Sequence, residues 1–414
     1  MRNKGNVKKD FIFNTIGTGI NAFNSLFFMI IATRINGVSD AGIFTFAFST
    51  AALFQIIGVY SGRIYQITDN TKATNEDYLV NKVITCVIMF VVSILFILLR
   101  GYTGKKMLVI LILCIYRTLE AFSEVIYAYF QKNYELYKVG MSLVLKNVLG
   151  LIVFLTINIF TRNLIYSTLG LVLNYILIML SYDFKIFRNN FIKLRNINLN
   201  NQKKIFSLGF STFLLSFLLM YIVNIPRYVI DFKMSDASSS IFGILIMPAS
   251  VVVLIAQFIL HPFLMKINDF LIHKDYKNLK KNVMNICLVT SAFGIFATFI
   301  AYLIGIPILE FIYGISLKKY LMALIVVLIG ATLYGVVSIL SNILVAMRIA
   351  SKQIIISFVV SIFSLFISIC FINSLGVNGA CYGYTITMLL DIILYIVLFA
   401  ITEKKLEKGK IKND

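Results

Sequence analysis

Three ionisable residues stand inside one apolar run, residues 107–130: Arg117, Glu120 and Glu124. A run of that length crosses a bilayer as a helix. The spacing i, i+3, i+7 sends all three side chains to one helical face. Each ionised group at bilayer depth costs about 2.5–3.5 kcal/mol on insertion scales. Such a face persists only against protein or in a wet cavity. Two readings follow from the residues: a self-neutralising brace, with Arg117 held by Glu120, or the wall of a polar passage through a helical membrane protein.

Further polar groups recur at helical spacing. Asn14, Thr18, Asn21 and Ser25 form a stripe on the first apolar run, and asparagine facing lipid is costly, so the stripe is expected to line a cavity. Tyr384, Thr387, Asp391 and Tyr395 form a second stripe on the last run, with Asp391 as a candidate proton or cation site. Arg34 and Arg63 are expected to close the first and second runs, and Arg227 the seventh; Lys146 lies about two turns inside the fifth. Arginine near a helix end ordinarily reaches for headgroups. Several cations around one cavity would instead suit a pyrophosphate, which accepts charge-assisted hydrogen bonds.

The elements that must carry these residues are set by composition. Of 414 residues, 59% are hydrophobic and 14% charged, and the mean hydropathy is +0.90. A soluble chain is about 45–50% apolar. The net charge of +20 falls mostly in short loops beside apolar runs, where it signals topology and meets anionic lipid rather than nucleic acid. The five cysteines lie in apolar runs without paired spacing and read as small hydrophobes. No P-loop, no His-Glu-x-x-His and no long outer loop is present, so no catalytic residue, metal or cofactor is assigned and an enzyme is disfavoured.

An all-α integral membrane protein is expected, with about twelve spans in two pseudo-symmetric six-helix bundles around a central cavity. The spans fall near 11–33, 41–62, 79–99, 107–130, 139–160 and 164–182, then 205–225, 241–264, 283–304, 320–346, 354–372 and 379–401. The first reads as an uncleaved span. The bundles are 1–190 and 205–414 with its basic tail, joined by a cytoplasmic linker, 191–204. The ends and even-numbered loops hold 26 of the 38 lysines and arginines against 9 in the odd-numbered loops, which places both termini in the cytoplasm. One outer loop dissents, with Arg100, Lys105 and Lys106. Ser39-Asp40-Ala41 and Ile43-Phe44 recur as Ser235-Asp236-Ala237 and Ile241-Phe242, consistent with a duplicated six-span unit. Pro226, Pro248, Pro262 and Pro307, the full set of prolines, assign the more bent helices to the second half.

Several stretches resemble the Wzx-type polysaccharide flippases, in the superfamily that also holds the multidrug and toxic-compound extruders. Ala32-Thr33-Arg34 through Ile43-Phe44 resembles the junction A-R-x-x-G-x-x-x-x-G-x-[YF], matched at Arg34, Gly37, Gly42 and Phe44. Arg117-x-x-Glu120 through Gln131, followed by Ser142, resembles the fourth-span pattern, in which a lysine often stands where Arg117 does. Gly376-Val377-Asn378-Gly379-Ala380 resembles the turn before the last span. The resemblance implies alternating access between two bundles and a substrate of oligosaccharide repeat units on undecaprenyl pyrophosphate, moved across a bacterial inner membrane for surface polysaccharide (capsule or O-antigen). It also implies drive by H+ or Na+ and a place beside a polysaccharide polymerase. Arg34 and Arg63 would touch pyrophosphate or sugar; the Arg117 face would line or brace the first bundle. The alternatives are a cation-coupled multidrug antiporter on the same fold and, with least support, a membrane glycosyltransferase or polymerase.

Overall fold

The computed structural model describes residues 4–60, 62–68, 73–187 and 199–407, and the regular structure among them is entirely helical. The chain divides into two compact units, Met1–Phe217 and Leu218–Asp414. In the first unit α1 (Lys4–Ile31) continues through a π-helical turn, Ala32–Asn36. Then come α2 (Val38–Val59), α3 (Gly62–Thr68), α4 (Asn75–Arg100), α5 (Gly104–Lys132), α6 (Leu136–Thr161) and α7 (Leu164–Ile178). A second π-helical turn, Met179–Phe184, leads into the short α8 (Lys185–Phe187). The helix α9 (Leu199–Lys233) starts in the first unit and ends in the second. The second unit adds α10 (Asp236–Leu260), α11 (Leu264–Ile272), α12 (Tyr276–Ile300), α13 (Ile306–Tyr313), α14 (Leu321–Ala346) and α15 (Ala350–Glu407).

Ten helical stretches among the described residues are long and apolar enough to cross a membrane. Two more spans join them. The 29 residues of α5 are interrupted only by their charged face, and the 58 residues of α15 bend at Gly376, with φ 59° and ψ −132°, into two arms. That backbone region is open to glycine alone. The described spans therefore number twelve, as the hydropathy pattern requires.

In the first unit α1 packs along α6 and α2 along α5. The backbones of Gly17 and Gly140 touch, and a Cβ on Gly140 would overlap the Phe13 carbonyl. Close approach through small residues is how helices associate in lipid. About three to four turns further along the same pair, Phe28 and Phe154 pack with Phe44 of α2, with ring centroids 4.9–6.2 Å apart. Lys82, buried on α4, donates to the Gly58 and Val59 carbonyls at 3.1 and 2.6 Å. A cation there satisfies orphan carbonyls and complements the dipole at the α2 C-terminus. In the second unit Ile286, Val337, Leu340, Ile343, Leu344 and Leu398 belong to one core.

Four boundaries differ from expectation, each for a physical reason. The sixth span runs past residue 182 because the π-helical turn carries the helix through Phe184, which brings Asp183 inside. The seventh continues through Pro226, so Arg227 lies within α9 rather than closing it. Proline is tolerated inside membrane helices because neighbouring groups re-satisfy the freed carbonyl. The outer connection that follows, expected across residues 224–240, shrinks to Met234 and Ser235 between α9 and α10. Arg63 sits on the separate helix α3, beyond a corner at Tyr60 with φ 50°. Residues 188–198, which include most of the expected linker, and 408–414 of the basic tail lie outside the described residues.

Candidate functional site

The charged face of α5 closes on itself. Arg117 Nη1 donates to Glu120 Oε2 at 2.5 Å and to Gln55 Oε1 at 3.3 Å. Gln55 on α2 returns a bond to Glu120 at 3.3 Å. The guanidinium also lies 4.2 Å from the ring centroid of Phe48, a cation–π contact. One turn along, Arg63 Nε stands 3.7 Å from Glu124 Oε2. All four charged side chains keep partial exposure, 11–29%. Two positive and two negative charges thus make a neutral but accessible belt across α2, α3 and α5. It can accept anion and cation alike only by exchanging internal partners, at the modest cost of half-exposed ion pairs. Gln55, which no spacing rule singled out, is the neutral bridge between the pair.

Beside the belt, Lys146 meets Asp183 at 2.5 Å, with side chains 1% and 0% exposed. Its ammonium also donates to Tyr127 Oη at 2.9 Å and Ser123 Oγ at 3.1 Å, and it lies 4.1 Å from the Tyr175 ring centroid. Three acceptors use all three ammonium protons. Lys146 is therefore a buried clamp joining α5, α6 and the end of α7, and its charge is matched by Asp183 rather than offered to a cavity. Asp183 is absent from the sequence-derived candidates because hydropathy ends its span one residue earlier.

The stripe on α1 is divided. Asn24, one position off it, donates to Asn147 Oδ1 at 2.6 Å, and Asn147 donates to Asn21 at 3.1 Å, so Asn21 serves α1–α6 packing while remaining exposed. Such bonds contribute about 0.6 kcal/mol each in lipid. Thr18 bonds the Asn14 carbonyl of its own helix at 2.7 Å, and Asn14 Oδ1 is buried without a partner among the described residues. Arg34 is exposed in the turn after α1. The dissenting basic loop is locally consumed: Lys105 pairs with Asp40, and Arg100 and Lys106 lie over the Tyr102 ring.

In the second unit Arg227 donates to Asn224 at 3.2 Å. Asp391 is wholly buried, and neither carboxylate oxygen has a hydrogen-bond partner among the described residues. Its neighbours on the same stripe are engaged: Thr387 donates to Ser364 at 3.3 Å, and Tyr395 meets Ser357 at 3.4 Å. An unpartnered buried carboxylate in lipid is a site for something that neutralises it. No group of three or more His, Cys, Asp or Glu side chains suited to a metal ion occurs among the described residues.

No protein-family model matches the chain. The capsular polysaccharide biosynthesis protein CapF of Staphylococcus aureus is 24% identical over 404 residues, covering 94% of this chain and 98% of that protein. An inward-facing multidrug-resistance MATE transporter of the MOP superfamily superposes with a TM-score of 0.74 at 14% identity, over 97% of this chain and all of the other. The chain has the MOP-superfamily transporter fold. The lipid II flippase MurJ, in an inward closed conformation, superposes with a TM-score of 0.73 at 15% identity, over 95% of this chain and 90% of that one. This multi-span membrane protein thus matches a capsular polysaccharide biosynthesis protein over nearly its full length and shares its fold with MATE and MurJ.

Proposed function

We propose that this MOP-fold protein is a flippase that moves undecaprenyl-pyrophosphate-linked oligosaccharide repeat units across a bacterial inner membrane by alternating access. The observation that carries the reading is the end-to-end similarity to a capsular polysaccharide protein on a transporter fold. The excess of lysine and arginine in the even-numbered loops supports cytoplasmic termini. Arg34 and Arg63 are the cations we assign to pyrophosphate: Arg34 is exposed, and Arg63 lies 3.7 Å from Glu124 and keeps partial exposure. Arg117 is committed to Glu120 and serves the belt's geometry. Asp391 is the coupling site, where H+ or Na+ binding would remove its uncompensated charge. A polysaccharide polymerase is the natural consumer of the delivered units.

Deleting the gene tests this. Completed lipid-linked units are expected to accumulate while surface glycan is lost; normal surface glycan would refute the proposal. The pairing of Arg63 and Lys146 with acids leaves fewer uncompensated cations than a pyrophosphate site would offer, which favours a multidrug antiporter as the second reading. That second reading is tested by organic-cation efflux from vesicles holding the purified protein.

A further inference from the structure

The first arm of α15 carries Gln353, Ser357, Ser361, Ser364 and Ser368, spaced 4, 4, 3 and 4 residues apart and all buried. That spacing is one helical face running more than four turns. It meets the stripe on the second arm as an antiparallel ladder. Ser364 takes the Thr387 rung and Ser357 the Tyr395 rung, at 3.3 and 3.4 Å. Ser341 of α14 extends the ladder by donating to Gln353 Oε1 at 2.7 Å. By register, Asp391 occupies the middle rung opposite Ser361, whose hydroxyl donates to the Phe358 carbonyl at 2.7 Å. Between the bonded Ser364 and Ser357 rungs, this middle rung has no side-chain bond among the described residues.

The unpartnered atoms of the seam are not confined to Asp391. Gln353 Nε2 near one end and Ser368 Oγ at the other are also buried without hydrogen-bond partners among the described residues. Buried polar groups are ordinarily satisfied by protein or by ordered water making two to four bonds. Serine hydroxyls both donate and accept, so a row of them can hold such waters in either orientation.

From this geometry we infer that the α15 seam holds a file of ordered waters delivering a proton to Asp391, and that the entrance lies at the Gln353 end. The inference rests on the ion-coupled reading of Asp391 above and names the ion and its route. The step is a protonation only: one proton arrives through water, binds a carboxylate oxygen, and the group passes from charge −1 to neutral. A proton needs a single oxygen, whereas a metal cation of the hard type gathers several oxygen ligands, and Asp391 is the one carboxylate on the ladder. The titratable groups around Asp391 are the Tyr334 phenol from α14 and those of Tyr384 and Tyr395 on its own helix, with Arg227 of α9 beyond Tyr384. On the elements packed against this region, Gln257 of α10 bonds Ser338 and Thr290 of α12 lies against Gly335, neither of which ionises, and the Cys287 thiol of α12 packs on the core that holds Tyr395. At the Gln353 end the second arm is tied to α12 by Lys280 and Glu403, 3.1 Å apart, so the entrance lies beside an ion pair whose lysine is exposed.

The test is infrared difference spectroscopy on the full chain in lipid nanodiscs during a pH step, with no glycolipid present. The wild type is expected to show the carbonyl band of a protonated, buried carboxyl that grows as pH falls and is unmoved by sodium at fixed pH. Asp391→Asn should abolish it, and Asp391→Glu should keep it at a shifted position, which guards against a mere folding defect. Gln353→Leu should keep the band but slow its exchange in D2O on the order of tenfold, as expected when a water station is lost. Three results would overturn the inference: no such band in the wild type, its removal by sodium, or unchanged exchange in Gln353→Leu. Because no substrate enters this measurement, a failed gene-deletion test leaves the band in place, and a missing band leaves the flippase reading standing.

Discussion

Lys146 and Asp183, 37 residues apart in sequence and 2.5 Å apart in space, form an ion pair that is sealed from solvent and bound to α5 through Ser123 and Tyr127. The Arg117–Glu120 pair stands beside it on the same helix and keeps partial exposure. The buried pair sets where α5 stands, and the exposed belt is what that placement presents.

Breaking the buried pair at one end leaves an uncompensated charge, which costs about 3–5 kcal/mol. Lys146→Met and Asp183→Leu are each expected to lower the thermal stability of the detergent-solubilised protein sharply. The double variant should recover most of the loss. Additive losses in the double-mutant cycle would show that the two groups do not neutralise each other.

Arg63 is different. A half-exposed pair such as Arg63–Glu124 contributes about 0–1 kcal/mol. Arg63→Ala, and likewise Arg34→Ala, should therefore accumulate in the membrane at close to wild-type level while surface glycan is lost. Immunoblotting alongside glycan staining checks this. Full glycan in both variants would remove these arginines from the substrate path.

The bend of α15 depends on Gly376 and on Gly379, whose added Cβ would overlap the Phe371 carbonyl. Gly376→Ala forces a side chain into a glycine-only backbone region, at about 1–3 kcal/mol. A lowered melting temperature is expected, and a larger one for Gly379→Val. An unchanged melting temperature in both would mean that the corner is not where the two arms are fixed.

The first half of α9 is held to the first unit by Asn201 on the Asp77 carboxylate and Gln202 on the Asp77 carbonyl, both at 2.7 Å. Tyr60 Oη donates to the Phe206 carbonyl at 2.7 Å, and its ring stacks on Phe213. Asp77→Ala combined with Tyr60→Phe should raise hydrogen exchange in residues 199–217 and leave residues 218–233 unchanged. Equal exchange across all of α9 would contradict a separate anchorage of its first half.

Hydropathy and charge made the spans legible, because a residue's preference for lipid is read one position at a time. The Arg117–Glu120 pairing was legible too, since i, i+3 spacing alone brings the two together. Asp183 was not. Its role depends on a π-helical turn, which no residue pattern at 179–184 announces. Arg227 was misplaced because Pro226 looks like a helix end, as it would be in water. The serine face of α15 was present in the spacing of residues 357–368, but serine barely disturbs an apolar window, and only the facing Thr387 and Tyr395 give it meaning. Gln55 could be paired with Arg117 only once α2 was known to lie against α5.

The most direct measurement reconstitutes the purified chain in vesicles with undecaprenyl-pyrophosphate-linked oligosaccharide and follows the glycan reaching a membrane-impermeant oxidising label. The flippase account predicts transbilayer movement that requires the protein, accelerates under an imposed pH gradient, and is lost in Asp391→Asn. Glycolipid that stays on its original leaflet, in vesicles that expel organic cations under the same gradient, would contradict it.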